Sequence, residues 1–112
     1  MTKILFVCTA NIDRSPTAEH LYKNHPALEV KSAGTAPHAK KRVSDELIKW
    51  ADVIFCMTDR HKYVIEKSFS DIISDKTIVD LDIPDKYLYM HIHLQSTIET
   101  RVNAWLRKNV LM

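Results

Sequence analysis

The stretch Ile4-Leu5-Phe6-Val7-Cys8-Thr9-Ala10-Asn11-Ile12-Asp13-Arg14-Ser15-Pro16 decides the fold. Its first four residues form an apolar run with no helical period that halts at a polar segment, the pattern of a strand buried on both faces in a parallel sheet. Residues 8–14 follow as a compact loop. Ser15 with Pro16 reads as a helix N-cap followed by proline at the first helical position. A loop this short, wound about one centre and ending at a helix N-terminus, turns several backbone N–H groups inward. The positive end of the helix dipole adds to them, an arrangement that favours an anion. The same field favours the thiolate of Cys8, and hence a nucleophile. Arg14 can set its planar guanidinium on two oxygens of a phosphoryl group, and Ser15 brings a hydroxyl toward the Cys8 sulfur.

Outward from this stretch, the chain alternates. Ala18, Leu21 and Tyr22 give the first helix an apolar face, and His25-Pro26 halts it. Leu28, Val30 and Ser32 alternate with charged residues as a second strand ending at Gly34, the only glycine. His38 and the basic trio Lys40-Lys41-Arg42 read as a solvated loop. Ser44 caps a short helix carrying Asp45 and Glu46 in its first turn. Val53 to Met57 is an uninterrupted apolar run of strand length, and Asp59 is expected to cap a helix running to about Phe69. Thr77 to Leu81 reads as strand four, followed by a proline-organised loop from Asp82 to Tyr87. The last helix shows Ile98, Val102, Trp105 and Leu106 at helical spacing. Ser96-x-x-Glu99 fits a capping box, with a start nearer His91 as the alternative. Strands alternating with helices predict an α/β fold, a four-stranded parallel sheet with helices on both faces and right-handed crossovers. In such sheets ligands sit beyond the carboxyl ends of the strands. Cys8, Thr58 and the segment from Asp82 to Tyr87 are therefore expected on one rim.

Composition narrows the partners. With 112 residues, 46% hydrophobic and 27% charged, the chain has the balance of one globular domain spanning 1–112. Lys plus Arg number 16 against 14 Asp plus Glu, so no basic excess calls for nucleic acid. No apolar run approaches the ~18 residues of a membrane span, and the run ending at Cys8 is too short for a signal sequence. A cytoplasmic monomer with no membrane partner is the expectation. The two cysteines, Cys8 and Cys56, form no disulfide framework or zinc pattern. Cys56, inside an apolar run, reads as an inert buried thiol. His91-x-His93 lacks a third ligand at useful spacing, so neither a metal nor a cofactor is expected.

The run Ile4 to Cys8, followed by Asn11, Arg14-Ser15-Pro16, Ala18 and Glu19, resembles the opening of the low-molecular-weight protein tyrosine phosphatases. Val30 to Thr35 and Ala51 to Thr58 are similar to that family's second and third strands, and Ile83-Pro84-Asp85-Lys86-Tyr87 to its Asp-Pro-Tyr loop. The resemblance implies a cysteinyl-phosphate mechanism. Cys8 attacks phosphorus, Arg14 grips the phosphoryl oxygens, and Asp85 protonates the leaving group and then activates water. It also implies that Thr9, Ala10, Asn11, Ile12, Asp13 and Ser15 surround a phosphate or sulfate anion. Asn11 would brace the loop, and Tyr87 would line the pocket against an aryl group. The implied substrate is a phosphotyrosine-containing protein or a small aryl phosphate. Asp80 and Asp82 compete with Asp85 but read as ordinary loop acids.

Three positions and one connection depart from the family. Ala10 replaces a usual glycine, and in a left-handed conformation would cost about 1 kcal/mol. Asp13 stands where a second cysteine is common, Lys86 replaces the proline after the acid, and the connection from Thr35 to Asp52 is short. A more open cleft is the expected result. Asp13 and that short wall leave open a non-catalytic module that holds phosphate or a phosphoprotein. Arsenate reduction is a further alternative, but it needs resolving thiols, and Cys56 is poorly placed to be one.

Overall fold

The computed structural model describes residues 1–109. In chain order it contains β1 (Thr2–Cys8), α1 (Arg14–Tyr22), β2 (Leu28–Gly34), α2 (Asp45–Trp50), β3 (Val53–Cys56), α3 (Asp59–Ser68), β4 (Thr77–Asp80) and α4 (Ile92–Asn109). The strands form one parallel sheet in the order β2-β1-β3-β4. β1 lies inside because Ile4, Leu5, Phe6 and Val7 have no exposed surface, each worth about 1.5–3 kcal/mol when fully buried.

The two-residue alternation of β1 divides the core. Ile4, Phe6 and Cys8 face a layer with Ala18 and Tyr22 of α1 and Leu94, Ile98, Val102 and Leu106 of α4. Leu5 and Val7 face the other layer, with Ile48 of α2 and Ile65 of α3. Phe6 stacks on Phe55 at 5.6 Å between ring centres, and Trp105 meets Phe55 edge-on at 5.2 Å. Among the described residues no helix is long and apolar enough to cross a membrane.

The expected α/β architecture is present, but three helix starts differ from the sequence expectation. α1 begins at Arg14 with Asp13 at its N-cap, so Ser15 lies inside the helix. Its hydroxyl is taken by buried partners of the loop rather than by a capping amide. Thr58, not Asp59, caps α3, and His61 completes the reciprocal capping pair. Ser96 lies well inside α4. The helix starts at Ile92, where the His91 ring accepts from the His93 N–H at 3.1 Å. The expected Ser44 cap of α2 is present, its side chain accepting from the Leu47 N–H. The domain expected over 1–112 ends in Val110 to Met112, which lie outside the described residues.

Gly34 sets how closely β2's exit approaches the loop after β1. A Cβ at this position would stand 2.4 Å from the Thr9 carbonyl oxygen and 3.0 Å from the Asn11 nitrogen. Only glycine permits that approach. The following segment is fastened there by three bonds: Thr35 N–H to Cys8 O (2.9 Å), Ala36 N–H to Thr9 O (3.0 Å) and Lys40 N–H to Ala10 O (3.0 Å).

Candidate active site

Cys8 ends β1 almost wholly buried, and the Ser15 hydroxyl stands 2.9 Å from its sulfur. The direction of that contact follows from the chain of bonds behind it. The Glu19 carboxylate accepts the Ser32 hydroxyl proton, so Ser32 must in turn accept from the Asn11 amide at 3.0 Å. The other hydrogen of the same amide goes to Ser15 Oγ at 2.9 Å. Ser15 thus has its own proton to give, either to the Cys8 sulfur or to the more distant Ala33 carbonyl at 3.3 Å. Such a donor stabilises an ionised sulfur.

The backbone strain expected at Ala10 falls instead on Asn11, which adopts a φ of 57°. Asparagine tolerates this conformation better than alanine does. The left-handed kink buries the Asn11 amide among Ser15 and Ser32. Among the described residues, the N–H groups of Ala10, Asn11, Ile12, Asp13, Arg14 and Ser15 find no acceptor. Gathered around the end of β1 at the start of α1, they form a setting suited to an anion.

Arg14 is buried, and its Nη1 donates to the Ile83 carbonyl at 3.0 Å. This bond fixes the guanidinium against the segment after β4. That segment is itself tied down by the Ile83 N–H to the Met57 carbonyl at 2.6 Å and by Arg101, which donates to the carbonyls of Leu81 and Asp82. Beyond Ile83 the segment opens to solvent. The Asp85 side chain is 68% exposed, with Oδ1 at 4.0 Å from Arg14 Nε. An ion pair this open contributes at most about 1 kcal/mol, so the carboxylate is near the arginine without being locked to it.

His61 has no counterpart in the sequence reading. It is 4% exposed at the start of α3 and joins two loops. Its Nδ1 accepts from the Thr58 N–H at 3.1 Å, which places the ring proton of the neutral form on Nε2, 2.8 Å from Thr9 Oγ1. Burial, followed by the charges of Arg14 and Arg60, pushes its pKa from 6.5 down to about 4, against smaller opposing effects of Asp85 and Asp59. The ring is therefore a neutral brace that donates to the Thr9 hydroxyl at ordinary pH. A Thr-x-x-His pattern before an apolar-periodic segment was the available signal. It escapes notice because Glu or Gln usually completes a capping box.

A cavity of about 160 Å³ is lined by Cys8, Thr9, Ala10, Ile12, Asp13, Arg14 and Asp85. It brings together the three residues that the sequence marks for chemistry. A neighbouring hollow of about 480 Å³ shares Thr9, Arg14 and Asp85 and adds Arg60 and His61. Asn11 and Ser15 stand behind the loop as buried braces rather than at the cavity wall. Tyr87 lines neither space and stacks on His91 at 4.7 Å between ring centres. Asp80 and Asp82 also lie outside the cavity, with Asp80 accepting from the Asp82 N–H at 2.8 Å. The Asp13 carboxylate accepts the Tyr89 N–H at 2.8 Å, while Thr17 accepts the Met90 N–H at 2.9 Å. Asp13 thus straps the segment before α4 onto the loop, which gives its negative charge a partner. Among the described residues no group of acidic, histidine or cysteine side chains is arranged to hold a metal.

A family model described as low molecular weight phosphotyrosine protein phosphatase matches residues 3–51. The low molecular weight protein-tyrosine-phosphatase Ptp of Acinetobacter johnsonii is 31% identical over 136 aligned positions, covering 93% of this chain and 95% of the relative. A protein-arginine-phosphatase of Geobacillus stearothermophilus is 35% identical over 99 positions, covering 67% of this chain and 66% of the relative. Among solved structures, the YwlE arginine phosphatase from Geobacillus stearothermophilus aligns with a TM-score of 0.71 at 26% identity, over 99% of this chain and 96% of that one. Vibrio vulnificus Wzb in complex with benzylphosphonate aligns with a TM-score of 0.78 at 25% identity, over 96% and 98%.

Proposed function

The chain belongs to the low molecular weight phosphotyrosine protein phosphatase family, and from that premise we propose that it hydrolyses phosphate monoesters, with phosphotyrosine in proteins as its substrate. One observation carries this reading: Cys8, Arg14 and Asp85 line a single small cavity, with the Ser15 hydroxyl 2.9 Å from the sulfur.

The phosphoryl group enters with its oxygens toward the loop amides and the Arg14 guanidinium, which stabilise the charge that develops in the transition state. The Cys8 sulfur attacks phosphorus in line. As the S–P bond forms, the P–O bond to the leaving group breaks, and its electron pair leaves with that oxygen. Asp85, on the open side of the cavity, supplies the proton. A water molecule then attacks the cysteinyl-phosphate and gives its proton to Asp85. The P–S bond breaks with its electrons returning to sulfur, and phosphate departs. The donated hydrogen of Ser15 makes sulfur a better leaving group in this second step. The chemistry calls for neither metal nor cofactor. In this reading the functional unit is one domain over 1–112, acting as a cytoplasmic monomer.

Ile12 supports the choice of an aryl substrate, being 59% exposed at the cavity mouth. A phenyl ring gains from covering an apolar side chain there, whereas a charged guanidinium would lose hydration. The test is hydrolysis of 4-nitrophenyl phosphate, a phosphotyrosine peptide and a phosphoarginine peptide by the native protein and by Cys8→Ser. Turnover of the first two that vanishes in the variant is expected. Faster turnover of phosphoarginine would overturn the substrate assignment, and tight phosphate binding without any turnover would establish a binding module instead.

A further inference from the structure

A third and larger hollow, of about 650 Å³, has Asn11 and Ile12 in its lining. Its walls come from Pro16 of α1, Tyr89 of the segment strapped by Asp13, and Lys40 and Lys41 of the loop after β2. Ile12 and Asp13 line the cavity above Cys8, and Ile12 is also a wall of this hollow, so the two spaces meet across one exposed isoleucine. The lysines are exposed and held in register with the phosphate loop. The Lys40 N–H bonds the Ala10 carbonyl, and the Gly34 contact described above allows the whole segment to lie against Thr9 and Asn11. One carboxylate, Glu19, also lines the hollow, but it is engaged by the Ser32 hydroxyl. Among the described residues neither lysine has an ion-pair partner, so two ammonium groups against one carboxylate leave the rim cationic, while Ile12, Pro16 and the Tyr89 ring supply apolar surface.

We propose that this hollow is a docking groove for the polypeptide flanking the phosphorylated residue, and that it selects acidic side chains there. The inference rests on the phosphatase reading for where the phosphorylated residue sits, and it adds which proteins are preferred: those whose phosphosite lies beside aspartate or glutamate. A phosphoryl group seated over Cys8 directs the adjoining chain across Ile12, and a carboxylate a few residues away then reaches Lys40 or Lys41. Each such contact is an exposed ion pair of modest strength and sensitive to salt. The two ion pairs together give a preference of about tenfold for the acidic flank, to which the apolar contacts, common to any flank, do not add.

Binding tests this apart from turnover. Fluorescent phosphotyrosine peptides of equal length, one flanked by acidic and one by neutral residues, are titrated into Cys8→Ser and into the same protein carrying Lys40→Glu and Lys41→Glu. The expected result is an acidic peptide bound about tenfold more tightly than the neutral one at low salt, with the ratio falling toward one in high salt and in the charge-reversed protein. Equal affinity for the two peptides, binding of neither, or a ratio untouched by charge reversal overturns the groove. If the native enzyme hydrolyses nothing while the peptide preference is present, the hydrolytic reading falls and the groove stands. Hydrolysis with no preference has the opposite meaning.

Discussion

Two thiols end two neighbouring strands in opposite surroundings. Cys8 closes β1 and Cys56 closes β3, with Cys56 paired in register to Val7, one step before Cys8. Exposure does not separate them, at 3% and 0%. What differs is the polarity of what each meets. Cys8 reaches past the sheet into a loop of free amides and faces the Ser15 hydroxyl. Cys56 stays in the apolar layer with Leu5, Val7, Ile54 and Ile65, where burial and then the Asp80 carboxylate push its pKa up to about 12. One residue of strand length decides whether a buried sulfur is served by donors or starved of them.

The sharpest way to break this contrast is to exchange the Cys8 sulfur for oxygen. Cys8→Ser keeps the size and the Ser15 contact but offers a far weaker nucleophile. Aryl phosphate turnover should fall by more than ~10³-fold in steady-state assays. Residual activity near the native level would mean that the reaction does not pass through this residue.

A second route asks whether the donors around Cys8 suffice without a proton source across the cavity. Asp85→Asn removes the carboxyl while leaving the Arg14 bond to Ile83 in place. Turnover should drop by about 10²–10⁴-fold, and the limb of the pH–rate profile that reports the acid should disappear. An unchanged profile would remove Asp85 from the mechanism.

His61 joins the two regions, standing on the helix after β3 and reaching Thr9 after β1. Its pKa, lowered from 6.5 to about 4, makes that junction sensitive to acid. In the unfolded chain the ring takes a proton near pH 6.5, whereas the folded ring resists until about pH 4. The brace therefore contributes fully above pH 6.5, and its stabilisation declines between those values, by roughly 3 kcal/mol at the end of the window. Burial, followed by the charges of Arg14 and Arg60, accounts for the resistance, and protonation of Nδ1 would also turn a donor toward the Thr58 N–H. Urea midpoints measured across this range should fall more steeply for the native protein than for His61→Gln, which does not titrate. Parallel curves would show that the ring is not the group responsible.

What could be read in the sequence follows from the range of the forces involved. β1 and the loop after it are legible because an apolar run that halts at a polar segment writes the end of a strand and the start of a loop into a few neighbouring residues. The helix starts are less so. Ser15, Asp59 and Ser96 are all good capping residues, and local pattern cannot show that Ser15 is claimed by Asn11 and Cys8 or that Thr58 has His61 as partner. His61 carries no local signal of its role at Thr9, because that bond spans 52 positions of chain. Tyr87 stands away from the cavity for a similar reason, since its stacking on His91 depends on where α4 begins. The lysine loop was visible only as charge. Its attachment to Ala10 depends on a strand register that no short window contains.

The smallest expected effect is at the other thiol, and it defines how far the two regions are independent. Cys56→Ala should leave kcat on aryl phosphate within about twofold and cost on the order of 1–2 kcal/mol of stability, the usual scale for trimming a well-packed buried atom. Iodoacetamide should label Cys8 in the native protein, with phosphate protecting it, and should reach Cys56 only after denaturation. The alternation of β1 adds a geometric reason. Cys8 belongs to the layer with Ile4 and Phe6, whereas Cys56 belongs to the layer with Leu5 and Val7 on the other side of the sheet. Two sulfurs on opposite faces cannot bring their Cβ atoms to the ~4 Å that a disulfide requires without tearing the strand pairing. Arsenate reduction through this pair is therefore blocked by the same register that makes Cys56 inert. Arsenate-dependent thiol oxidation that is lost in Cys56→Ala would reverse that conclusion and show that the sheet opens far enough for the two thiols to meet.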